Sequence, residues 1–468
     1  MDYDPAVETR IERELKLESK HPIDLDLLGG EPLEHRSFIS TYHDTPDRLL
    51  AQCGITLRRR LENGRNEWQL KLPADGDRRE VEALGAPAAP PPEIMGVLMA
   101  LLHGRELVPL ATLRTARQGV LVRTDAGAAE VVSDDVAVLE GQRVTEEFGE
   151  VEIELVDGSG RALRSIERAV KHLGARRSDG RTKIARALRE SDSRAAPAQT
   201  DAERLREYFH RCYVELLAAD AGVRLGADTE PVHDLRVSVR RLRAVLRAGH
   251  DMFVPEWADR LRDELGWLGR AFGPLRDLDV LSAHLAAESA TLDERDRAPL
   301  AGVFAMLEAD RTAARAEALA VLESDRYFAL LAALPSAPHS AESKRTLAAV
   351  GAAQLKKLTK LMRDIDADAP DELVHKARIR GKRLRYVAEV LDEGRVVSRA
   401  KEFQDVVGDH QDAVVADKEL RALAKRVPAA ALTLGMLLGR ERDRRLRARD
   451  DLPKAWKRLR RSAKRAWA

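Results

Sequence analysis

The sequence predicts two domains of different fold class, an α+β domain rich in antiparallel strands followed by an all-α domain. With 468 residues, the chain is longer than a single hydrophobic core normally holds. Alternation of apolar and polar residues dominates residues 1–190, whereas a 3.6-residue period dominates residues 201–468. Residues 191–200 follow neither period and are rich in Ala and Ser, so they are predicted to form a linker.

Composition favours a globular protein with two different tasks. Hydrophobic residues make up 44% and charged residues 34% of the chain. Residues 1–200 carry 29 Lys+Arg against 35 Asp+Glu, whereas residues 201–468 carry 50 against 43. The two cysteines, Cys53 and Cys212, are too few for a disulfide framework. Because the N-terminus shows no signal peptide and no apolar run could span a bilayer, we expect a cytoplasmic protein without a membrane partner.

Charged side chains recur on one face of each predicted strand in the first half. Strands are predicted at residues 11–18, 55–61, 67–72, 127–139 and 150–156, and helices at 93–102 and 161–173. Strand alternation groups Glu12 with Glu14 and Lys16, Arg58 with Arg60, Gln69 with Lys71, Glu130 with Asp134, and Glu150 with Glu152 and Glu154. A solvent-exposed face explains any one strand. Like charges side by side repel, however, so five segregated strands favour a barrel with a polar, ligand-filled interior.

The residue types on these faces indicate phosphate chemistry. Clustered carboxylates offer the hard oxygen ligands that Mg²⁺ and Mn²⁺ prefer. Lys and Arg side chains facing them suit phosphate oxygens, which Arg can bind in a bidentate way. Together they predict a metal-assisted attack on a phosphoanhydride.

The first half resembles the CYTH superfamily, the triphosphate tunnel metalloenzymes. Residues 12–16, Glu-Arg-Glu-Leu-Lys, match its ExExK signature. Further matches, in order, are residues 42–47, 54–60, 68–71, 78–80, 130–134, 150–154 and 182–186, with Thr182 in place of the family's serine. The resemblance implies an eight-stranded antiparallel barrel that forms a tunnel, with flanking helices.

The same resemblance implies which residues form the site. It assigns divalent metal binding to Glu12, Glu14, Asp134, Glu152 and Glu154. It assigns triphosphate binding to Lys16, Arg58, Arg60, Lys71, Arg78, Arg117, Lys183 and Arg186, with Lys16, Arg58 and Lys71 also catalytic. Arg114 and Arg123 compete with Arg117 for its position.

The second half contains an internal repeat built on histidine and arginine. The pattern H-x-x-R-x-x-x-[RK]-R-L-R begins at His233 and again at His375, and G-x-x-x-D follows at Gly273 and Gly408. Helical spacing puts two sets of cations each on one face: His233, Arg236, Arg240 and Arg243, and His375, Arg378, Lys382 and Arg385. One basic stripe is usually a solvated helix face. Two such stripes with no interleaved acid predict a polyanion ligand.

Phosphate-only recognition fits this half better than nucleic acid. Five Trp, six Tyr and eight Phe in the whole chain offer little material for base stacking. Residues 200–468 resemble the CHAD domain, a conserved-histidine α-helical domain. That resemblance implies two pseudo-symmetric four-helix bundles around a basic groove that binds inorganic polyphosphate, lined by the eight residues of the two stripes.

The combined expectation is an enzyme that hydrolyses inorganic triphosphate with Mg²⁺ or Mn²⁺ and binds polyphosphate, with an association to polyphosphate granules. Two alternatives stay open at this stage. One is a polyphosphate receptor without activity, and the other is a tunnel enzyme acting on thiamine triphosphate or, as an adenylate cyclase, on ATP. The sequence does not indicate an oligomeric state.

Overall fold

The computed structural model divides the chain into two compact units, Met1–Ala196 and Pro197–Ala468. It describes residues 8–19, 23–74, 76–189, 198–335, 346–366 and 368–467. Of the predicted linker 191–200, only residues 198–200 fall within the described part. The domain limits at 190 and 201 therefore stay predictions.

The first unit contains an antiparallel sheet with a strand order of β1-β7-β6-β5-β4-β8-β9-β10-β2-β11, and β3 pairs with β8. Its described strands are β1 (Glu8–Glu12), β2 (Glu14–Glu18), β3 (Glu31–Pro32), β4 (Arg36–Asp44), β5 (Thr56–Glu62), β6 (Arg65–Ala74), β7 (Asp77–Leu84), β8 (Val108–Thr124), β9 (Gly127–Glu140), β10 (Arg143–Gly158) and β11 (Arg176–Arg177). The predicted antiparallel α+β class is confirmed. The sheet has eleven described strands, however, instead of the eight expected.

The sheet is held together at its ends by a strand that is interrupted at one residue. Only Arg13 separates β1 from β2. β1 pairs with β7, where Arg10 lies opposite Glu80, and β2 pairs with β10, where Lys16 lies opposite Glu152. These partners lie near opposite ends of the strand order. The expected closed barrel is thus a sheet that strand pairing leaves open. The two ends of its strand order are joined covalently through Arg13, which connects β1 to β2.

Five short or flanking helices complete the first unit. They are α1 (Leu49–Gln52), α2 (Pro92–Val97), α3 (Met99–Leu102), α4 (Gly160–His172) and α5 (Lys183–Ala187). The helix predicted at 93–102 is divided between α2 and α3, which Leu98 separates. The helix predicted at 161–173 is α4, capped by the Ser159 hydroxyl, which accepts from the Arg161 N–H. Its apolar face, with Ile166 and Val170, packs on strand residues in a shared core.

The second unit is helical throughout its described part. Its helices are α6 (Asp201–Leu225), α7 (Glu230–Ala248), α8 (Pro255–Ala271), α9 (Gly273–Ser289), α10 (Glu294–Arg297), α11 (Ala301–Leu322), α12 (Asp325–Ala333), α13 (Leu347–Leu361), α14 (Asp371–Val390), α15 (Gly394–Arg426) and α16 (Ala431–Trp467). Among the described helices of the whole chain, none combines the length and the apolar character needed to cross a membrane.

The internal repeat appears as two sets of four helices in the same order. α6, α7, the pair α8–α9, and α11 correspond to α13, α14, α15 and α16. A short 3₁₀ turn precedes the last helix of each set, at Ala298–Leu300 and Pro428–Ala430. Pro274, near the start of α9, lacks an N–H, and Phe272 separates α8 from α9, whereas the corresponding α15 runs on uninterrupted. The predicted pair of helical bundles is confirmed.

Candidate functional site: a charged tunnel and a cationic groove

Side chains from most strands of the first unit surround a single cavity of about 110 Å³. It is lined by Arg10, Glu12, Glu14, Lys16, Arg36, Tyr42, Thr56, Arg58, Arg60, Gln69, Lys71, Arg78, Glu80, Arg117, Glu130, Glu152, Glu154, Thr182 and Lys183. The alternation that was read from the sequence thus places the charged residues of separate strands in one space. We refer to this cavity as the tunnel.

Most residues predicted for the site line the tunnel, with one exception among the triphosphate ligands and one among the metal ligands. All predicted triphosphate ligands except Arg186 are among its lining residues. Arg186 instead donates to Ser178 Oγ (2.7 Å) and to Glu18 Oε2 (3.2 Å). All predicted metal ligands except Asp134 line the tunnel, and Asp134 is fully buried. Their roles as ligands stay predictions.

Lys183 ties together three carboxylates on one side of the tunnel. Its Nζ lies 3.0 Å from Asp134, 2.8 Å from Glu150 and 2.8 Å from Glu152. It is the first residue of α5, which Thr182 caps by accepting from the Ala185 N–H at 3.2 Å. Threonine therefore provides the hydroxyl that a serine would. Burial lowers the pKa of Lys183, but its carboxylate partners hold that pKa well above the ordinary value.

Arg117 provides a second clamp on the same carboxylates. Its Nε and Nη2 donate to the two oxygens of Asp134 at 2.7 and 2.6 Å, and Nη2 also donates to Glu152 at 3.0 Å. Of the three competing arginines, Arg117 is the one that faces the tunnel. Arg114 is exposed, and Arg123 pairs with Glu31 at 3.3 Å.

Ion pairs between lysines and glutamates also line the tunnel. Lys71 lies 2.5 Å from Glu12 and 3.5 Å from Glu80, and Lys16 lies 2.9 Å from Glu152. Burial raises the pKa of Glu80, but Lys71 and Arg58 outweigh it and lower that pKa to about 2. Without ligands, these cations and carboxylates neutralise one another.

Two tunnel carboxylates lack sufficient compensation. Glu14 and Glu154 lie directly opposite each other in the β2–β10 register. Burial and the charge of Glu12 raise the pKa of Glu154 to about 7, against the pull of Arg10. Burial, with the charges of Glu152 and Glu12, also raises the pKa of Glu14. Crowded carboxylates of this kind fit a divalent cation, which Glu12, Glu14 and Glu154 could hold.

Arg60 shows the opposite imbalance. It is only 7% exposed, and its guanidinium lies 4.3 Å from the centre of the Phe38 ring. Its Nε has no hydrogen-bond partner, and within the described part of the chain no carboxylate pairs with it. Burial and the neighbouring Arg58 and Arg117 lower its pKa to about 10. A buried guanidinium without an acceptor fits an anionic ligand.

Sequence reasoning missed several tunnel residues, including Arg10, Arg36 and Glu80. Strand parity could have found Glu80, because it shares a face with Arg78. Tyr42 was also missed, although it stands in one of the matched segments. Its hydroxyl lies 3.4 Å from Arg58 Nη1, and although burial raises the pKa of Tyr42, Arg58 and Lys183 outweigh that effect and lower it.

The two predicted basic stripes of the second unit converge between α7 and α14. Burial, Arg276 and Arg240 lower the pKa of His233 to about 4, with a smaller effect from Lys382 on the facing helix. Burial, Arg378 and Arg240 lower the pKa of Lys382 to about 7. Residues from both repeats therefore perturb each other's charge. We refer to His233, Arg236, Arg240, Arg276, Arg378 and Lys382 as the groove.

Groove cations have few acceptors of their own. Within the described residues, the side chains of His233, Arg240, Arg276 and Lys382 form no hydrogen bond or ion pair. Arg236 donates to the Gly269 carbonyl at 2.9 Å, while its Nε stays without a partner. Arg378 has only Asp412, at 4.0 Å. This concentration of unpaired cations fits a polyanion.

Three predicted groove residues take other positions or partners. His375 Nδ1 hydrogen-bonds with Gln411 at 2.7 Å. Arg385 pairs with Glu389 at 3.1 Å. Arg243 has Arg270 and Arg262 of α8 as its charged neighbours, and these, after burial, lower its pKa. Arg276 was not predicted, although it lies inside the G-x-x-x-D repeat.

Comparison with known families assigns a domain family to each unit. The CYTH domain family matches residues 10–188, and the CHAD domain family matches residues 207–421. The chain belongs to the CYTH–CHAD family. Members of the CYTH superfamily are typically hydrolases or cyclases that act on triphosphates, and their tunnels generally depend on divalent metal.

Two relatives match this CYTH–CHAD protein over most of its length, and two solved structures match part of it. Two proteins of Mycobacterium tuberculosis, both described as uncharacterized, are 30% identical over 466 residues, covering 91% of this chain and 90% of each relative. Among solved structures, PptA from Streptomyces chartreusis is 24% identical, with a TM-score of 0.44, and covers 55% of this chain and 99% of its own. The CHAD domain from Ricinus communis is 26% identical, with a TM-score of 0.45, and covers 56% of this chain and 91% of its own.

Proposed function

We propose that the tunnel hydrolyses inorganic triphosphate to pyrophosphate and phosphate with Mg²⁺ or Mn²⁺, and that the groove binds inorganic polyphosphate. The observation that carries the proposal is that one cavity holds both a cation without an acceptor and carboxylates without enough neighbouring cations. Arg60 is a buried cation without an acceptor, and Glu14 and Glu154 are crowded carboxylates. A metal–triphosphate complex satisfies both, because it brings negative oxygens and a compensating cation together.

Each group of tunnel residues has a separate task in this reaction. Arg58, Arg60 and Lys71 hold the phosphate oxygens and orient the chain. A divalent ion, when bound by Glu12, Glu14 and Glu154, supplies charge neutralisation and lowers the pKa of water. A water oxygen bonds to the terminal phosphorus while the bridging P–O bond breaks. Pyrophosphate leaves with the bonding electrons, and the proton that the water loses passes to the solvent or to a phosphate oxygen of the products.

Asp134 and Glu152 support the proposal in a different role from the one first expected. Both are already engaged by Lys183 and Arg117. Burial raises the pKa of Glu152, but Lys16, Lys183 and Arg117 hold that pKa well below its ordinary value. Each of them is held by two or more cations, whereas the described structure pairs Glu12 with Lys71 alone and Glu14 with Lys16 alone, so Asp134 and Glu152 have less need of a metal. We therefore assign Asp134 and Glu152 to positioning the cations, and metal binding to Glu12, Glu14 and Glu154.

The lining of the tunnel favours an inorganic substrate over an organic triphosphate. Tyr42 is the one aromatic side chain among the described lining residues, and its hydroxyl is close to Arg58. Neither a purine nor a thiamine ring finds a second aromatic surface there. Inorganic triphosphate has no ring to place, and in this proposal the protein acts in the cytoplasm beside polyphosphate.

The deciding experiment measures phosphate release from inorganic triphosphate with Mg²⁺ or Mn²⁺, comparing the wild type with Glu14→Gln. Asp135→Asn is a matched control. Asp135 follows Asp134 in β9, but its side chain is exposed on the opposite face of the strand. We expect metal-dependent release that Glu14→Gln abolishes, that Asp135→Asn preserves, and that is weak with ATP or thiamine triphosphate.

Two results would replace this function. Metal-dependent turnover of ATP or thiamine triphosphate above that of triphosphate would make the tunnel an organic triphosphatase or a cyclase. Absence of any turnover, together with tight polyphosphate binding, would leave a receptor without activity.

A further inference from the structure

A histidine and two glutamates of the helical unit form a cluster outside the groove. His284 and Glu288 lie one turn apart on α9, and Glu441 lies on α16. One possible ligand atom from each of the three lies within 4.8 Å of the other two. The cluster borders the apolar core that contains Leu285 and Leu437, where α9 and α16 meet.

Glu441 is a buried carboxylate that is only half satisfied. It is 2% exposed, and its Oε1 lies 2.6 Å from His284 Nε2. Its Oε2 is buried and has no hydrogen-bond partner, since the nearest cation, Arg444, is 3.9 Å away. A buried carboxylate oxygen without a donor costs free energy. The other members of the cluster, His284 and Glu288, are also residue types that bind metal.

The ligand types restrict which ion could satisfy it. An imidazole nitrogen with two carboxylates suits Zn²⁺ and neighbouring divalent transition metals, whereas Mg²⁺ and Ca²⁺ prefer oxygen ligands alone. Three protein ligands leave a fourth position for water. The Arg440 guanidinium and a proton both compete with the ion. Arg440 donates to Glu288 at 2.9 Å, and His284 can itself carry a proton.

We propose that His284, Glu288 and Glu441 bind one divalent transition-metal ion of the zinc type, which links α9 of the first repeat to α16 of the second. On binding, the ion takes the place of the proton shared between His284 and Glu441. The Glu288 carboxylate leaves Arg440, whose Nη1 keeps its hydrogen bonds to the Glu288 carbonyl and to Thr291. The site is independent of the tunnel and of the groove.

The test counts tightly bound Zn²⁺ on the full chain, by competition with a zinc-chelating dye in a large excess of Mg²⁺ that occupies oxygen-only sites. The wild type should bind one equivalent of Zn²⁺ under these conditions. His284→Ala and Glu288→Gln should each weaken that equivalent at least tenfold. His172→Ala should have no effect, because it removes an exposed histidine in the other unit.

One further variant separates the tunnel from the cluster, and a stability measurement separates folding from binding. The double variant Glu12→Gln, Glu14→Gln should keep the zinc equivalent, since its changes lie in the tunnel. Glu288→Gln changes a partly exposed side chain and should retain its melting temperature without zinc. If the wild type binds no tight zinc in excess Mg²⁺, or if His284→Ala and the wild type bind it equally, the cluster is an ion pair only and the proposal is wrong.

Discussion

Three consecutive arginines of β5 have three different environments. Arg58 Nε donates to Gln69 Oε1 at 2.7 Å, and Arg59 Nη1 donates to the Pro87 carbonyl at 2.8 Å on the outer side. Arg60 has no acceptor at all among the described residues. Residue type alone does not distinguish them. The side of the strand and the supply of nearby carboxylates decide which arginine is available to a ligand.

Arg60→Ala should reduce kcat/KM for triphosphate by about ten- to a hundredfold, the effect of losing a hydrogen bond to a charged group. Arg59→Ala should stay close to the wild type, since its guanidinium faces away from the tunnel. Steady-state phosphate release measures both. Removing Arg60 should not lower the melting temperature, because an unpaired buried cation adds nothing to stability. Equal losses in the two variants would contradict the assignment of faces.

Glu154 makes the stability of the metal-free protein depend on pH. Its pKa is about 7 in the folded state against an ordinary 4.5, so the folded state keeps this proton when the unfolded state has lost it. Stability from Glu154 is therefore present below 4.5 and is lost as the pH rises through 7. We expect the melting temperature to fall between about pH 5 and about pH 7.5, and to fall less in Glu154→Gln.

Calorimetry with a chelator present provides the measurement, and the difference between wild type and variant isolates Glu154 from other titrating groups. Addition of Mg²⁺ should reduce the fall in the wild type, since the ion compensates the ionised carboxylate. An unchanged pH profile in Glu154→Gln would show that this group ionises normally.

At the scale of single elements, α7 and α14 act as a pair. Each carries a basic stripe, and the stripes lower each other's pKa values across the gap between the helices. Neighbouring side chains on the same helix behave differently. Arg240 lacks a partner in the described structure, while Arg241 lies 2.8 Å from Glu215 and 3.6 Å from Glu389.

Arg240→Ala and Arg241→Ala should therefore have opposite phenotypes. Arg240→Ala should weaken binding of long polyphosphate by about tenfold and leave the melting temperature unchanged. Arg241→Ala should bind normally but lose about 1 kcal/mol of stability, as expected for a partly exposed ion pair. Isothermal titration and thermal unfolding of both variants test this. Weaker binding in Arg241→Ala alone would place the ligand elsewhere.

Lys382 should make polyphosphate binding depend on pH. Its pKa of about 7 in the free protein must rise when a polyanion binds, so binding takes up a proton above pH 7. Affinity should fall by up to about tenfold per pH unit above 7 from this group alone. Lys382→Arg should flatten the profile, because an arginine stays charged. Lys376→Arg, at an exposed position of the same helix, should not.

The sequence predicted the elements and the tunnel residues well but not how charges are shared. Strand parity was sufficient to bring Glu12, Lys71 and Arg60 to one cavity. Strand alternation carries no information on which side chains form ion pairs. It could not show that Lys183 and Arg117 pair with Asp134 and Glu152. The split of the first strand at Arg13 was also missed, because alternation continues on both sides of it. In the helices, spacing grouped Arg243 with Arg240, yet α8 gives it different neighbours.

At the scale of the whole molecule, an acidic unit precedes a basic one. The excess of cations lies in residues 201–468, and the groove concentrates several of them without acceptors. Attraction between such a surface and a polyanion is long-ranged, so added salt should screen it. In the proposed reaction, turnover in the tunnel depends instead on close, buried contacts.

Polyphosphate affinity should consequently fall steeply with ionic strength, while kcat for triphosphate changes little. A plot of log affinity against log salt should have a slope set by the number of cations engaged, and Arg240→Ala should reduce that slope by about one. Titrations at several salt concentrations provide the measurement. A slope that is unchanged by the variant would exclude Arg240 from direct contact.

The interrupted strand at Arg13 also sets the order in which the first unit can fold. Its two halves depend on distant partners, since Lys71 is 59 residues from Glu12 and Glu152 is 136 residues from Lys16. Such non-local pairing is slow to form, whereas helices built from local contacts form quickly. As the chain leaves the ribosome, β1 must wait until β7 has been made, and β2 must wait until β10 has been made. The tunnel is therefore among the last parts of this unit to assemble, because closing it requires the latest of its long-range strand pairs.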